Sequence, residues 1–233
     1  MTKVFCAIDR ADPERAAGLV RQLSGTLNSF KLGLEFFTAQ GPAGVDKIRA
    51  VAAGAEIFLD LKLHDIPNTV AGAVRAAMRC RPEFLTVHAS GGREMIRAAV
   101  GEAGAATKIL AVTVLTSLDD AALQSVGQSF PVRDQVLLLA RLAVESGAHG
   151  IVCSPQETEL LRKEFGKDIF LVVPGIRPAG TAWGDQKRTM TPQAAAARGA
   201  DYLVIGRPIT EAPDPAAAAR EILAQLTPLT GFI

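Results

Sequence analysis

The segment Phe58-Leu-Asp-Leu-Lys-Leu-His-Asp-Ile-Pro-Asn-Thr69 combines a strand, a group of charges and the start of a helix. Because side chains alternate between the two faces of an extended strand, Asp60 and Lys62 are predicted to share one face. Asp65 follows three residues later, and the fixed φ of Pro67 suits the first turn of a helix. We therefore predict a strand that ends among charged side chains and runs directly into a helix.

The same order of strand and helix recurs along the whole chain. Eight short apolar runs are predicted as buried strands, at residues 4–9, 29–33, 56–62, 84–88, 109–114, 150–153, 170–174 and 202–206. A segment with helical spacing follows each of them, at residues 13–24, 43–53, 69–80, 94–103, 134–146, 156–165, 192–198 and 215–226. Strict alternation requires crossover connections and hence a parallel sheet, so eight units predict an α/β fold of the (β/α)8 TIM barrel type. We expect one domain that spans residues 1–233.

A doubly wound open sheet is the competing fold. It would more readily place a glycine-rich dinucleotide loop after the first strand, where this chain has Asp9-Arg-Ala-Asp12. The barrel is therefore preferred.

Composition and charge limit the possible partners. Hydrophobic residues make up 48% of the 233 residues, and 25 Lys and Arg nearly balance 24 Asp and Glu, for a net charge of +1. Neither a nucleic acid nor an anionic membrane is predicted as a partner. The N-terminus does not have the pattern of a signal peptide, and no apolar run is long enough to span a membrane, so we expect a soluble cytoplasmic protein.

The cysteines and histidines do not predict a metal site. Cys6, Cys80 and Cys153 are far apart and form no CxxC motif, so we expect reduced thiols, with Cys6 and Cys153 as buried apolar residues. His64 would lie on the opposite face from Lys62 if the strand continued, which favours a packing role. His88 ends the fourth predicted strand, where contact with a ligand and a structural hydrogen bond remain alternatives.

Polar residues end almost every predicted strand, at the edge of a TIM barrel where active sites form. They are Asp9, Lys31, Asp60, Lys62, His88, Thr116, Ser117, Ser154, residues 174–177, Gly206 and Arg207. Burying Asp60 and Lys62 together on an inner barrel face is costly unless they pair with each other or with a ligand. This pair is therefore the strongest candidate for catalysis.

Two segments late in the chain indicate a phosphate site. Gly206 lets an anion approach the backbone after the eighth strand, and Arg207 adds a charged hydrogen-bond donor. The preceding loop, residues 174–188, has no hydrophobic period and contains Arg177, Gln186 and Arg188 as donors. A loop of this length in a compact domain predicts a lid that closes over an anion. Trp183 in this loop would pack on the closed site or on the barrel rim.

These residues resemble the orotidine 5′-phosphate decarboxylase family of the bacterial type along the whole chain. The most specific part of the resemblance is Asp60-Leu-Lys-Leu-His-Asp-Ile-Pro-Asn-Thr69. It is supported by Ala7-Ile-Asp9, Lys31-Leu-Gly33, Val87-His-Ala-Ser-Gly-Gly92, Val114-Leu-Thr-Ser117, Pro174-Gly-Ile-Arg177, Gly184-Asp-Gln186 and Ile205-Gly-Arg-Pro208.

The resemblance implies a role for each matching residue. The catalytic charges would be Lys31, Asp60, Lys62 and Asp65, with Asp65 and Thr69 reaching the neighbouring active site of a homodimer. The substrate, orotidine 5′-monophosphate, would be bound by Asp9 and Lys31 at the ribose and by Thr116 and Ser117 near the pyrimidine. Gln186, Gly206 and Arg207 would bind its phosphate, with Pro174 and Arg177 nearby. The family uses no cofactor and no metal.

The implied chemistry agrees with these residue types. Loss of CO2 from C6 leaves a carbanion in the plane of the pyrimidine ring, which placed charges must stabilise, and Lys62 would then protonate it. Two alternatives remain. One is a related magnesium-dependent decarboxylase of keto-sugar phosphates, which shares the Asp-x-Lys strand, and the other is a non-catalytic barrel that binds a nucleoside monophosphate.

Overall fold

A computed structural model describes residues 2–178 and 189–226 of the chain and shows a closed barrel of eight parallel strands. The strands are β1 (Lys3–Ala7), β2 (Ser29–Leu32), β3 (Glu56–Leu63), β4 (Phe84–His88), β5 (Lys108–Val112), β6 (Gly150–Val152), β7 (Phe170–Val173) and β8 (Tyr202–Ile205). Each strand pairs with its neighbours in sequence, and β1 closes the barrel against β8. The predicted (β/α)8 barrel is confirmed.

Helices cover the outside of the barrel and connect successive strands. In the described residues they are α1 (Pro13–Leu23), α2 (Leu34–Val51), α3 (Pro67–Ala77), α4 (Arg93–Ala103), α5 (Asp120–Ser125), α6 (Val132–Glu145), α7 (Thr158–Phe165), α8 (Pro192–Ala197), α9 (Arg207–Thr210) and α10 (Pro215–Leu226). Short 3-10 helices follow α3 and β4, at Met78–Cys80 and Ala89–Gly91.

The helix predictions are wrong for the start of α2, which contains an internal glycine and proline, and they omit two short helices. Helical structure before α3 was predicted from residue 43, but α2 begins at Leu34 and continues through a kink at Gly41, whose φ of 55° is not helical, and Pro42. The proline follows this break and so begins a second helical stretch instead of ending the first. The short helices α5 and α9 were not predicted.

The strand predictions are accurate at the N-terminal ends and less so at the C-terminal ends. β1 stops at Ala7 rather than residue 9, and β5 stops at Val112 rather than residue 114, whereas β3 runs one residue further, to Leu63. Sequence hydrophobicity continues past the last ladder pairs because residues such as Ile8 and Val114 remain buried beyond the ends of their strands. Lys31, Asp60, Lys62 and His88 therefore lie within strands, whereas Asp9, Thr116, Ser117 and Ser154 lie on the loops that follow strands.

Aromatic side chains fill the N-terminal half of the barrel interior. Phe5, Phe58, Phe84, Phe170 and Tyr202 pack against one another, mostly edge to face, with ring centroids 5.0 to 6.0 Å apart. Edge-to-face packing is the favoured arrangement of aromatic rings, and each buried ring also removes apolar surface from water. The interior is therefore closed at one end and open only at the mouth.

The helices pack on the strands through a second apolar layer outside the barrel. Cys6, Cys80 and Cys153 are all buried, which confirms the burial predicted for Cys6 and Cys153. Within the described residues, no helix is both long and apolar enough to cross a membrane. Helix α1 starts directly after the first mouth loop because the carboxylate of Asp12 accepts hydrogen bonds from the amides of Glu14 and Arg15.

Candidate active site

Four charged side chains form a continuous cluster at the mouth of the barrel. The Nζ atom of Lys31 lies 2.9 Å from Oδ2 of Asp9 and 3.3 Å from Oδ2 of Asp60. The other oxygen of Asp60 lies 2.8 Å from Nζ of Lys62. The order Asp9, Lys31, Asp60, Lys62 therefore alternates in sign, and β2 and β3 supply the last three members. Asp60 and Lys62 therefore meet at the mouth of the barrel, as predicted from the sequence.

Burial decides how strongly these charges interact. Lys31 and Asp60 are only 6% and 8% exposed, whereas the side chain of Lys62 is 27% exposed. Burial alone would lower the pKa of the Lys31 ammonium, but the negative charges of Asp60 and Asp9 outweigh it and raise this pKa. Both groups of the central pair are therefore expected to be charged at neutral pH.

Asp60 shows the complementary shift. Burial alone would raise the pKa of its carboxyl, but the charges of Lys31 and Lys62, with hydrogen bonds from Lys62 and Thr86, outweigh burial and lower it. A carboxylate flanked by two ammonium groups is fixed in orientation as well as charge, since each oxygen has its own cationic partner.

The backbone of β3 is irregular where it carries Lys62. Leu59 pairs with Leu85, but the next pair joins Leu63 to Val87, so β3 advances four residues while β4 advances two. Lys62 has a φ of 48°, in the left-handed region that non-glycine residues rarely adopt. Its amide donates a hydrogen bond of 2.9 Å to Oγ1 of Thr86 instead of to a strand partner.

Two adjoining cavities open beside the cluster. The smaller, about 320 Å³, is lined by Asp60, Lys62, Thr116 and Ser117 together with apolar side chains. Its lining includes Phe58 at the top of the aromatic layer, so it combines a flat apolar wall with polar groups. Such a cavity suits a planar heterocycle with polar substituents.

The larger cavity, about 880 Å³, continues from the smaller one, with Lys31 and Pro174 lining both. Arg177, Gly206 and Arg207 line its far side, as the sequence predicts for a phosphate site, and Asp9 lies near the junction. The charged cluster therefore borders two adjoining cavities, one with apolar walls and one lined by several arginine side chains.

The loop after β7 is anchored at both of its described ends. Ile176 forms a bridge with Met190, and the amide of Arg177 donates to the Met190 carbonyl at 2.9 Å. Gln186, Trp183 and Arg188, predicted to belong to a lid, lie outside the described residues. The lid and the role of Gln186 stay predictions.

Asp65 and Thr69 do not join the cluster within one chain. Both are exposed, and Oδ1 of Asp65 accepts a hydrogen bond of 2.7 Å from the amide of Ile66. Among the described residues Lys62 pairs with Asp60 and not with Asp65. This placement leaves Asp65 available to another molecule.

His64 and His88 pack against each other beside the cluster. β3 ends at Leu63, so the face assigned to His64 from strand alternation does not apply, and its ring packs on His88 with centroids 5.5 Å apart. Burial, followed by the charges of His64 and Lys62, lowers the pKa of His88. Within the described residues no group of three or more His, Cys, Asp and Glu side chains is arranged to hold a metal ion.

Sequence reasoning missed two residues of the site. Thr86, fully buried on β4, contacts both Asp60 and Lys62, and its only signal is a hydroxyl within an apolar strand. Arg10 lines the larger cavity and donates to the carbonyl of Thr210 at 2.9 Å. It follows Asp9 directly and could have been found as a second polar residue beyond the first strand.

Comparisons with known proteins give a consistent assignment. The model of the orotidine 5′-phosphate decarboxylase / HUMPS family matches residues 2–222. A protein of Thermobifida fusca named orotidine 5′-phosphate decarboxylase is 56% identical over 223 residues, covering 96% of this chain and 95% of that protein. A protein of the same name from Paramagnetospirillum magneticum is 54% identical over 231 residues, covering 96% of this chain and 97% of that protein.

A solved structure supports the same family assignment. The crystal structure of orotidine 5′-phosphate decarboxylase from Lactobacillus acidophilus superposes with a TM-score of 0.86 at 38% identity, covering 97% of this chain and all of that one. The chain therefore belongs to the orotidine 5′-phosphate decarboxylase / HUMPS family.

Proposed function

We propose that this enzyme converts orotidine 5′-monophosphate to uridine 5′-monophosphate, as a cytoplasmic step of de novo pyrimidine synthesis that uses neither metal nor cofactor. The observation that supports this most is the alternating cluster of Asp9, Lys31, Asp60 and Lys62 beside a cavity for a heterocycle. The names of the relatives favour this substrate over keto-sugar phosphates.

The chemistry requires a positive charge at a fixed place. As the bond from C6 to the carboxylate breaks, its electron pair stays on C6 in the ring plane, where the π system does not delocalise it. The Lys62 ammonium would stabilise this charge and then transfer a proton to C6, which gives the product and a neutral lysine that is later reprotonated by solvent. One ammonium about 4 Å away contributes roughly 4 kcal/mol at an effective dielectric of 20, so other contributions are needed.

Binding energy from the remote phosphate supplies a further contribution. The phosphate would bind at Gly206 and Arg207, with Gln186 and Arg177, some distance from the reacting carbon. Contacts to this end can offset the free energy needed to hold the anionic ring beside Asp60. Repulsion between Asp60 and the substrate carboxylate would add to this, but we rank it below positioning and the charge of Lys62.

The substrate would lie along the two cavities. Thr116 and Ser117 would contact the pyrimidine in the smaller cavity, and Pro174 would border both ends. Lys31 lines both cavities, and Asp9, paired with it, lines the larger one, so these two residues would bind the ribose hydroxyls. Thr116, Ser117, Asp9 and Lys31 each line the cavity that would hold the part of the substrate they are proposed to contact.

A homodimer would complete the site. Asp65 and Thr69 are exposed and follow β3 at the mouth, so a second copy of the chain can receive them in its own active site. Ile66, between them, is 66% exposed, and Leu34 after the neighbouring strand β2 is 53% exposed. Large apolar side chains at this end of the barrel suit a protein interface that water does not reach.

The activity is tested by the decrease in orotate absorbance when the protein is added to orotidine 5′-monophosphate with and without a chelator. We expect turnover in both conditions. Loss of turnover with the chelator would favour the magnesium-dependent alternative. Binding of uridine 5′-monophosphate without any turnover would favour the non-catalytic barrel.

The role of Lys62 is tested by Lys62→Ala, with Lys47→Ala on α2 as the control lysine. The Lys62 variant should lose decarboxylation almost entirely, whereas the control variant should keep it. Near-normal turnover by Lys62→Ala would remove this lysine from the mechanism.

The shared site is tested by mixing two inactive variants, Lys62→Ala and Asp65→Ala, under conditions that exchange subunits. Each mixed dimer contains one site with both residues intact, so about a quarter of wild-type activity should return if subunits assort at random. If no activity returns while mixed dimers form, Asp65 acts within its own chain or not at all.

A further inference from the structure

Thr86 lies between the two residues that the proposed chemistry depends on most. Its side chain is fully buried on β4, directly beside the irregular part of β3. Its Oγ1 atom is 2.9 Å from the amide nitrogen of Lys62 and 3.0 Å from Oδ1 of Asp60. The same carboxylate oxygen contacts Nζ of Lys62 at 2.8 Å.

The direction of both hydrogen bonds follows from the groups involved. A backbone amide can only donate and an ionised carboxylate can only accept, whereas a hydroxyl has one hydrogen to donate and lone pairs to accept. Thr86 must therefore accept from the Lys62 amide and donate to Asp60. A valine of nearly the same shape could do neither.

The irregularity of β3 explains why the hydroxyl is needed. The left-handed backbone of Lys62 is strained and persists only where surrounding contacts hold it. The same conformation turns the Lys62 amide away from the strand ladder, where a buried donor without a partner would add a further cost. Thr86 supplies that partner and ties the amide to the carboxylate that binds the Lys62 ammonium.

We propose that Thr86 is a positioning residue, whose hydroxyl holds the left-handed backbone of Lys62 and the orientation of Asp60 so that the ammonium stands at the cavity. This role rests on the proposed decarboxylation. Thr86 does not line either described cavity around the cluster, so it acts through Lys62 and Asp60 rather than on the substrate.

A purely structural role is the alternative, and Thr107 provides a matched control. Thr107 is also buried, at 2% exposure, and donates to the carbonyl of Pro82 at the opposite end of the barrel. Replacing either threonine by valine removes one buried hydroxyl and its hydrogen bonds. Only Thr86→Val should change catalysis in a way that its loss of stability does not explain.

The test compares steady-state kinetics of Thr86→Val, Thr86→Ser and Thr107→Val at temperatures where each is folded. Misplacement of a catalytic group by about 1 Å costs roughly a hundredfold in rate, so kcat of Thr86→Val should fall by about this factor. KM and the affinity for uridine 5′-monophosphate should change little, because the groups proposed to bind ribose and phosphate are untouched. Serine keeps the hydroxyl and should restore most of kcat, and Thr107→Val should keep the wild-type value.

The pH profile gives a second readout. The hydrogen bond from Thr86 is one of the contacts that lower the pKa of Asp60. Its loss should raise that pKa, so the acidic limb of the kcat profile of Thr86→Val should move to higher pH. A crystal structure of the same variant should show Lys62 with a changed φ.

Three outcomes would overturn the proposal: a kcat of Thr86→Val close to that of the wild type, equal impairment of the serine and valine variants, or an increase in KM with kcat unchanged. If Thr86→Val does not fold, Thr86→Cys replaces it, since a thiol is a weak donor and acceptor of similar size. Failure of the wild type to turn over orotidine 5′-monophosphate would instead refute the proposed function itself. If the wild type is active and Thr86→Val has the same kcat, only the proposed role of Thr86 is refuted.

Discussion

Asp60→Asn is the substitution that tests the charged cluster most directly. The amide has nearly the shape of the carboxylate and keeps one oxygen as an acceptor, but it removes the negative charge between Lys31 and Lys62. Two ammonium groups then face each other with Asp9 as the remaining carboxylate of the cluster within one chain. The variant should lose both stability and catalysis.

The size of the stability loss can be worked out from the distances. At an effective dielectric of 20, the 3.3 Å contact with Lys31 is worth about 5 kcal/mol and the 2.8 Å contact with Lys62 about 6 kcal/mol. Water reaches the 27% exposed Lys62, which weakens the second value. The variant also avoids the cost of burying the Asp60 carboxylate, which offsets part of these two contributions. We therefore expect the free energy of unfolding to fall by about 3 kcal/mol, a value typical of breaking a buried ion pair.

Urea unfolding followed by far-UV circular dichroism measures this loss, which should lower the midpoint by about 1 M for a protein of this size. The catalytic effect is larger, because loss of a preorganised electrostatic group costs roughly a hundredfold to a thousandfold in kcat. The control is Asp201→Asn at the opposite end of the barrel, where the carboxylate accepts from Arg162 and from the amide of Leu171. The control should lose stability and keep its kcat.

Two results would refute this reasoning. An Asp60→Asn protein as stable as the wild type at neutral pH would mean that water or a movement of Lys31 screens the cluster. A kcat within about tenfold of the wild type would mean that Asp60 contributes little to placing Lys62, whatever its effect on stability.

Three further predictions concern the phosphate end of the site, the approach of Gly33 to Asp9 and the pH dependence of stability. Arg207→Gln should lower kcat/KM for orotidine 5′-monophosphate by about tenfold to a hundredfold, the usual value of a charged hydrogen bond, but leave turnover of orotidine, which has no phosphate, unchanged. Gly33→Ala should raise KM, because the added methyl group would collide with the carboxylate of Asp9, which binds Lys31. Gly18→Ala is the control and should leave KM unchanged, because the new methyl group has open space around it. The unfolding free energy should fall in acid, below about pH 4, because the lowered pKa of Asp60 makes its contribution disappear as the carboxylate is protonated. It should also fall in alkali above about pH 10, because the raised pKa of Lys31 gives a contribution that is lost as its ammonium deprotonates.

The barrel could be predicted from the sequence because its determinants are local and repeated. Each strand is a short apolar run and each connection has helical spacing, so the order of elements follows from periodicity alone. The number and strict alternation of the units then leave few ways to close a parallel sheet. The kinked start of α2 at Leu34 was not predicted, because Gly41 and Pro42 are as common in loops as at the junction of two helices.

The site was predicted in part for the same reason. Strand alternation places Asp60 and Lys62 on one face, and the mouth of a barrel collects the polar ends of all strands. The conformation of Lys62 could not be predicted in this way. Its amide, at a φ of 48°, bonds to the hydroxyl of Thr86, 24 residues away on β4. No pattern within β3 marks that residue as left-handed, and Thr86 is inconspicuous within its own strand.

The charged cluster depends on the rest of the barrel in a way that no segment of sequence shows. Five aromatic rings close the interior below it, so Lys31 and Asp60 are removed from water on that side although each is a strongly hydrated group. Removal from water makes each charge expensive to bury and makes each contact between opposite charges stronger. The cluster therefore persists only as an alternating set, and an anionic substrate that enters beside it meets charges that are already fixed in place. The proposed catalytic role of Lys62 rests on this property, because an ammonium in a mobile, solvated position would have to be reorganised during the reaction.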